Sequence, residues 1–132
     1  MEYLVGALLA LAVTWLANVV GFERERSFYS TVLIVVASYY VLFAVMAASE
    51  RSLVIEMACA GAFLVAAVLG FKASLWLVAM GLVGHGVFDF FHHWLIPNPG
   101  VPPWWPGFCL TFDVIFGALL AVHLVRRTVS AR

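Results

Sequence analysis

The segment Gly84-His-Gly-Val-Phe-Asp-Phe-Phe-His-His-Trp94 decides the fold, because it places ionisable side chains inside a hydrophobic stretch long enough to span a membrane. On an α-helix, successive residues are about 100° apart. Four side chains then fall at about −20°, 0°, 40° and 80°, in the order His92, His85, Asp89 and His93. Such residues are costly in a bilayer and rarely face lipid. This polar face is therefore predicted to point into a bundle of helices.

The composition of the whole chain indicates an integral membrane protein. Of its 132 residues, 65% are hydrophobic and only 11% are charged, whereas soluble domains carry about 25% charged residues. The formal net charge is zero, so no basic field would attract nucleic acid. We expect one membrane domain over residues 1–132, with the lipid bilayer as its main partner and no nucleic-acid partner.

Five apolar stretches of about 20 residues predict an all-α, polytopic helical bundle. In a membrane these stretches should be helices, because backbone groups in lipid need internal hydrogen bonds. The predicted spans are Tyr3–Gly21, Phe28–Ser49, Ser52–Phe71, Ala73–Leu95 and Gly107–Val125. Residues 97–106, Pro-Asn-Pro-Gly-Val-Pro-Pro-Trp-Trp-Pro, join the last two spans and are named the proline loop here. Five short helices bury little surface, which is compatible with a homo-oligomer.

The distribution of basic residues predicts the orientation in the membrane. Six of the seven fall on one side of the predicted spans: Arg24, Arg26, Lys72, Arg126, Arg127 and Arg132. Only Arg51 falls on the other side. Because cytoplasmic loops are enriched in Lys and Arg, we expect a cytoplasmic C-terminus and an external N-terminus in the inner or plasma membrane. The proline loop is then external, either as a rigid connection anchored by tryptophans or as a lid.

Three spans are predicted to bring acidic side chains to the same outer half of the bundle. With a rise of about 1.5 Å per residue, Glu56 lies about 6 Å from the outer end of the third span. Asp89 on the fourth span and Asp113 on the fifth both lie about 9 Å from their outer ends. Cys109 is one turn before Asp113 and shares its face. These depths predict one shared polar site.

The residue types and spacing in this site favour a divalent metal. The candidate ligands are His85, Asp89, His92 and His93, because side chains three or four residues apart on a helix can share an ion. Nitrogen and oxygen ligands without an evident redox partner make zinc the first choice, with iron or manganese second. His85 and His92 are about 10.5 Å apart along the helix, so either Asp89 orients a histidine or two metals bind.

Glu56 and Asp113 are the candidate catalytic residues, either as general base or to complete the metal shell. Three functions remain open at this point. The first is a metal-dependent membrane enzyme, such as a hydrolase of lipid-like substrates. The second is a small proton-coupled transporter or channel with the same residues as the relay. The third is a non-enzymatic structural subunit whose buried His and Asp hydrogen-bond across helices.

Three motifs resemble a known family. They are His85-Gly-x-x-Asp89-x-x-His92, Asn98-Pro-Gly-Val-Pro-x-Trp-Trp-Pro106 and Phe108-Cys-x-x-x-Asp113. Together they are similar to a family of small bacterial and fungal integral membrane proteins known as a domain of unknown function. The resemblance spans residues 85–113 and implies a multi-pass membrane protein without indicating an activity. Alkaline ceramidases are similar only in outline, with helical His and Asp around a buried zinc.

Overall fold

The computed structural model describes residues 1–130, and within them the regular secondary structure is helical, with no strand. The helices are α1 (Glu2–Val20), α2 (Arg26–Met46), α3 (Glu50–Lys72), α4 (Leu75–Leu95) and α5 (Trp105–Ser130), with a short 3-10 turn at Phe22–Arg24. All five α-helices are long and apolar enough to cross a membrane. This confirms the predicted all-α bundle of five membrane-spanning helices.

The helix ends follow from residues at the boundaries. Gly21 ends α1 in the left-handed conformation, with φ of 92°, which glycine adopts without a steric penalty. The side chains of Ser49 and Ser74 cap the starts of α3 and α4 by accepting backbone N–H bonds. Ile96 is extended and ends α4, as expected for the residue before Pro97.

Two helix boundaries differ from the sequence prediction by three residues or more. The last helix continues through Arg126 and Arg127 to Ser130, beyond the predicted end at Val125. Long basic side chains can reach water from a continuing helix, so these charges mark a membrane boundary and not a helix end. The second helix ends at Met46 instead of Ser49, because the chain turns there and Ala48 has a positive φ of 52°.

The fourth helix lies at the centre of the bundle. It packs against α5, α3 and α2, while α5 also packs against α1 and α2 also packs against α3. Gly86 faces α5, and a Cβ atom there would come within 2.9 Å of Val114 and 3.2 Å of the Asp113 Cβ. A Cβ on Gly84 would meet nothing within 4 Å. Gly86 therefore lets α4 and α5 approach closely, whereas Gly84 has no such role.

The bundle has two distinct ends. The loop end carries the proline loop and the start of α1, since Gly107 lies against Glu2 and Tyr3. The basic end carries Arg24, Arg26, Lys72, Arg126 and Arg127. There the Arg26 guanidinium donates hydrogen bonds of 3.0 and 2.8 Å to the Phe71 carbonyl. Arg51 lies in the first turn of α3 at the loop end, and Arg132 lies outside the described residues.

Candidate functional site

Five ionisable side chains are buried in the loop-end half of the bundle. Their exposed fractions are 0% for Asp89 and Asp113 and 1% for Glu56, His85 and His92. They come from α3, α4 and α5, the three helices that were expected to converge. Ionisable groups at such depth need partners or a function to offset the cost of burial.

The first part of the site joins α4 to α5, and we name His85, Asp89 and Asp113 the Asp–His–Asp group. His85 Nδ1 lies 2.6 Å from Asp113 Oδ2, so a proton on this nitrogen is donated to Asp113. Asp89 Oδ2 lies 3.2 Å from the same nitrogen. It does not form a hydrogen bond there, because the single N–H points to Asp113. One ligand atom from each of the three residues lies within 4.8 Å of the others.

Local sequence explains how this group assembles. Asp89 follows His85 by one helical turn and therefore shares its face. Asp113 reaches the same place from α5, where Gly86 permits the close approach of the two helices. The Phe63 ring meets the His85 ring edge-on, with centroids 4.7 Å apart. The imidazole is therefore held between an aromatic wall and two carboxylates.

The second part of the site joins α4 to α3, and we name Glu56 and His92 the Glu–His pair. His92 Nε2 and Glu56 Oε1 are 2.7 Å apart. The Asn98 amide donates to the same Glu56 oxygen at 2.9 Å and to the Tyr40 carbonyl at 3.1 Å. The Tyr40 ring stacks on His92 with centroids 3.9 Å apart and planes 14° apart. Through Asn98, the proline loop is fastened directly to the site.

Several buried polar atoms of the site have no hydrogen-bond partner among residues 1–130. They are both oxygens of Asp89, Asp113 Oδ1, Glu56 Oε2 and the Tyr40 hydroxyl, which lies beside Asp89. Leaving such an atom unpaired costs about 1–3 kcal/mol, and more for a charged group. Four of the five belong to carboxylates, so the site calls for a positive ion or for protons.

The charges of the site lead to the same conclusion. Even with both imidazoles protonated, three ionised carboxylates leave one negative charge inside the membrane. A divalent cation held by Asp89, Asp113 and a neutral His85 would leave that group without net charge. Imidazole nitrogen and carboxylate oxygen are ligands that zinc accepts. Two ligands of a tetrahedral zinc lie about 3.3 Å apart, so the 2.6 Å His85–Asp113 hydrogen bond must open to admit it.

A cleft of about 790 Å³ lies beneath the proline loop, next to the Glu–His pair. The cleft lies between the starts of α1 and α5 and the end of α4, and His92 and Asn98 form part of its wall. The cleft therefore extends from the loop end to the wall formed by His92 and Asn98.

The predicted four-residue stripe divides between different neighbours. His85 and Asp89 meet Asp113, His92 meets Glu56, and His93 is exposed beside Trp94, with ring centroids 3.7 Å apart. His93 is therefore separate from both buried parts of the site. His123 lies near the basic end, with its ring 6.5 Å from that of Tyr29.

Two members of the site were missed from the sequence. Asn98 reads as a turn former before Pro99-Gly100, yet its side chain joins the loop to Glu56. Tyr40 reads as a packing residue, yet its ring covers His92 and its hydroxyl lies beside Asp89. The one available signal was that Asn98 is a lone amide among prolines in the loop that follows α4.

No family model, curated protein or solved structure matches this chain. The resemblance carried by the motifs of residues 85–113 therefore remains an expectation. Conclusions about function rest on the geometry and the charges of the site.

Proposed function

We propose that this chain is a metal-dependent membrane hydrolase of lipid-like substrates. In this proposal the Asp–His–Asp group binds a divalent cation, with zinc as first choice and iron or manganese second. The Glu–His pair handles protons. The observation that carries the proposal is the convergence of His85, Asp89 and Asp113, whose ligand atoms lie within 4.8 Å of one another beside unpartnered carboxylate oxygens.

The number and type of ligands support a catalytic ion more than a structural one. Structural zinc sites use four protein ligands, whereas catalytic sites use three and leave one position for water. The Asp–His–Asp group supplies three. A cation bound there would provide hydroxide near neutral pH and would polarise the scissile carbonyl. Of the two roles expected for Asp113, general base or additional ligand, this proposal assigns it the ligand role.

The Glu–His pair supports a proton-transfer role for His92. An imidazole oriented by a carboxylate is a common general base or acid, because the carboxylate fixes the ring and stabilises its protonated form. Glu56 orients His92 at 2.7 Å, and Asn98 in turn holds Glu56. His92 lies on the cleft wall. We therefore assign His92 as the catalytic proton carrier and Glu56 as its positioning residue.

Metal content tests the first half of the proposal. The protein, purified in detergent without chelator, should carry close to one zinc per chain by elemental analysis. Asp89→Asn and Asp113→Asn should each lower zinc affinity at least tenfold, because each removes an anionic ligand. His93→Ala and His123→Ala are the matched controls and should retain the metal. Protein that carries no metal, and is not stabilised against heat by added zinc, iron or manganese, would overturn the proposal.

Separating metal binding from turnover tests the second half. His92→Gln should keep the metal and lower hydrolysis of fluorogenic long-chain esters and amides by about 100-fold or more, the usual range for loss of a general base. Glu56→Gln should weaken activity less and shift its pH profile. Loss of zinc from His92→Gln would instead place His92 among the ligands.

A proton relay is the second candidate function, and one specific observation favours it. The 2.6 Å hydrogen bond between His85 and Asp113 already joins a proton donor and a proton acceptor across α4 and α5. In that case, proteoliposomes containing the protein should move protons, as reported by an enclosed pH-sensitive dye. Asp113→Asn should abolish this movement, whereas His93→Ala should leave it unchanged.

A further inference from the structure

A lateral groove lies between α1, α2 and α5, beside the polar site. α1 packs mainly against α5 and α2 mainly against α3, so a gap remains between α1 and α2, with α5 as its floor. The groove has a volume of about 470 Å³, within the usual range of small-molecule sites of about 300–1,000 Å³. None of the residues that line it is charged. The lining residues include Leu9 and Val13 on α1, Val32 and Val35 on α2, and Phe108 and Phe112 on α5.

The depth and length of the groove fit one aliphatic chain. Its walls belong to helices long and apolar enough to span a membrane, and Val35 at its edge is 45% exposed. Along α2 the lining runs from Phe28 to Tyr39, which is about 16 Å of helix. The hydrocarbon core of a bilayer is about 30 Å thick, so the groove is about as long as one leaflet is deep.

The floor of the groove lies next to the polar site. Cys109 lies on its floor, is only 1% exposed, and stands close to both Asp89 and Asp113. Trp105, at the loop end of the groove, has a buried indole N–H without a hydrogen-bond partner among residues 1–130. An N–H donor beside an apolar channel suits a molecule with a hydrocarbon chain attached to a carbonyl group.

We infer that this groove binds a single long acyl chain and that the ester or amide carbonyl at its head accepts a hydrogen bond from Trp105. The acyl chain is the substrate class of the hydrolase proposed above, and in that respect the inference rests on the proposed function. Chain binding itself requires no metal. It can therefore be measured on chelator-treated protein, where hydrolysis does not interfere.

Photolabelling tests the occupant of the groove. The probe is a methyl palmitate analogue with a diazirine in the chain and a terminal alkyne, added to the full-length, chelator-treated protein in nanodiscs. Labelled peptides should come from α1, α2 and α5 around the groove. A tenfold excess of methyl palmitate should lower this labelling at least fivefold. Labelling spread over all lipid-facing helix surfaces, without competition, would overturn the inference.

Substitutions make the test specific. Val32→Trp and Val35→Trp should fill the groove and lower competable labelling at least fivefold. Val65→Trp is the matched control, because Val65 is exposed on α3 outside the groove. Trp105→Phe should weaken competition by methyl palmitate more than competition by hexadecane, which has no carbonyl. Thermal melting of each variant verifies its fold.

The outcomes also separate this inference from the proposed function. Competable labelling in a protein that binds no metal would support the groove while removing the hydrolase. Metal binding without competable labelling of the groove would support the hydrolase and overturn the acyl-chain assignment. If Val35→Trp converted a dimer into a monomer and the probe did not enter, the groove would be an interface between two copies, and the acyl-chain assignment would fall.

Discussion

At the scale of single residues, the competition of two carboxylates for His85 governs the chemistry of the site. Asp113 holds the Nδ1 proton at 2.6 Å, and Asp89 is left 3.2 Å away with both oxygens unpartnered. Asp89 is thus the less well compensated of the two anions in the metal-free protein. Such a residue is costly for folding and available for binding, as is typical of functional sites.

Asp89→Asn should therefore separate stability from metal affinity. Without metal, the substitution removes a buried negative charge beside Asp113, and the free energy of unfolding should rise by about 1–3 kcal/mol. Zinc affinity should fall at least tenfold. Thermal melting in chelator, followed by zinc titration, measures both effects. A loss of stability in chelator would mean that the contact of the Asp89 carboxylate with His85 stabilises the protein when no metal is bound.

At the scale of helices, the spacing between α4 and α5 determines whether the ligands meet. Gly86 allows Asp113 to reach His85, while Gly84 faces open space two residues earlier. A second inter-helix contact is made at the basic end, where Arg26 of α2 caps the last carbonyls of α3. Near each of these contact residues in the sequence lies a residue of the same type that does not make the contact, and its substitution provides a matched control.

Gly86→Ala should push α5 away from α4 and disturb the Asp–His–Asp group. The added Cβ would lie 2.9 Å from Val114 and 3.1 Å from the Leu110 carbonyl, which is backbone and cannot rotate away. We expect a loss of about 1–3 kcal/mol and weaker zinc binding. Gly84→Ala should leave zinc binding unchanged and be neutral or stabilising by up to about 1 kcal/mol. Equal effects of the two substitutions would show that helix propensity, and not spacing, is responsible.

Arg26→Ala should loosen the α2–α3 contact at the basic end. The guanidinium satisfies carbonyls at the C-terminus of α3 with bonds of 2.8–3.2 Å, and charged hydrogen bonds contribute about 1.5–3 kcal/mol when sheltered. Because Arg26 is exposed, the expected loss is about 1 kcal/mol in thermal unfolding. Arg24→Ala is the control, since Arg24 pairs only with the adjacent Glu23. If both variants melted alike, the cap would have no energetic role.

The positions of the helices were predictable from the sequence, but the contacts of their side chains were not. Apolar stretches of about 20 residues are sufficient to predict five spans. The 100° between His92 and His93 is small enough to suggest one stripe, yet packing buries the first beside Glu56 and exposes the second beside Trp94. Asn98 reaches Glu56 across 42 positions of sequence, a contact that no local pattern encodes.

At the scale of the whole molecule, the orientation in the membrane determines which compartment meets the cleft. Five of the six basic residues on one side, Arg24, Arg26, Lys72, Arg126 and Arg127, lie at the basic end of the bundle. The cleft and the proline loop lie at the other end. If the basic end is cytoplasmic, the candidate site opens to the external side.

Cysteine labelling tests this orientation. Pro103 is exposed in the proline loop, and replacing it disturbs none of the bonds made by Asn98. In a background with Cys59→Ser and Cys109→Ser, Pro103→Cys should react with a membrane-impermeant maleimide added to intact cells. A reporter protein that is active only in the cytoplasm should be active when it is fused to the C-terminus. Labelling of Pro103→Cys only after cell lysis would reverse the assigned orientation.

The central position of α4 has a consequence for biogenesis. This helix carries an aspartate and three histidines, and a central Asp alone costs about 2.5–3.5 kcal/mol during insertion by the translocon. Its partner Asp113 lies on α5, which the ribosome synthesises after α4. We expect α4 to remain beside the translocon until α5 arrives, and the two to enter the bilayer as a hairpin. If synthesis of the chain stalls before Asp113 is made, α4 should therefore remain outside the bilayer and be recognised by membrane quality control.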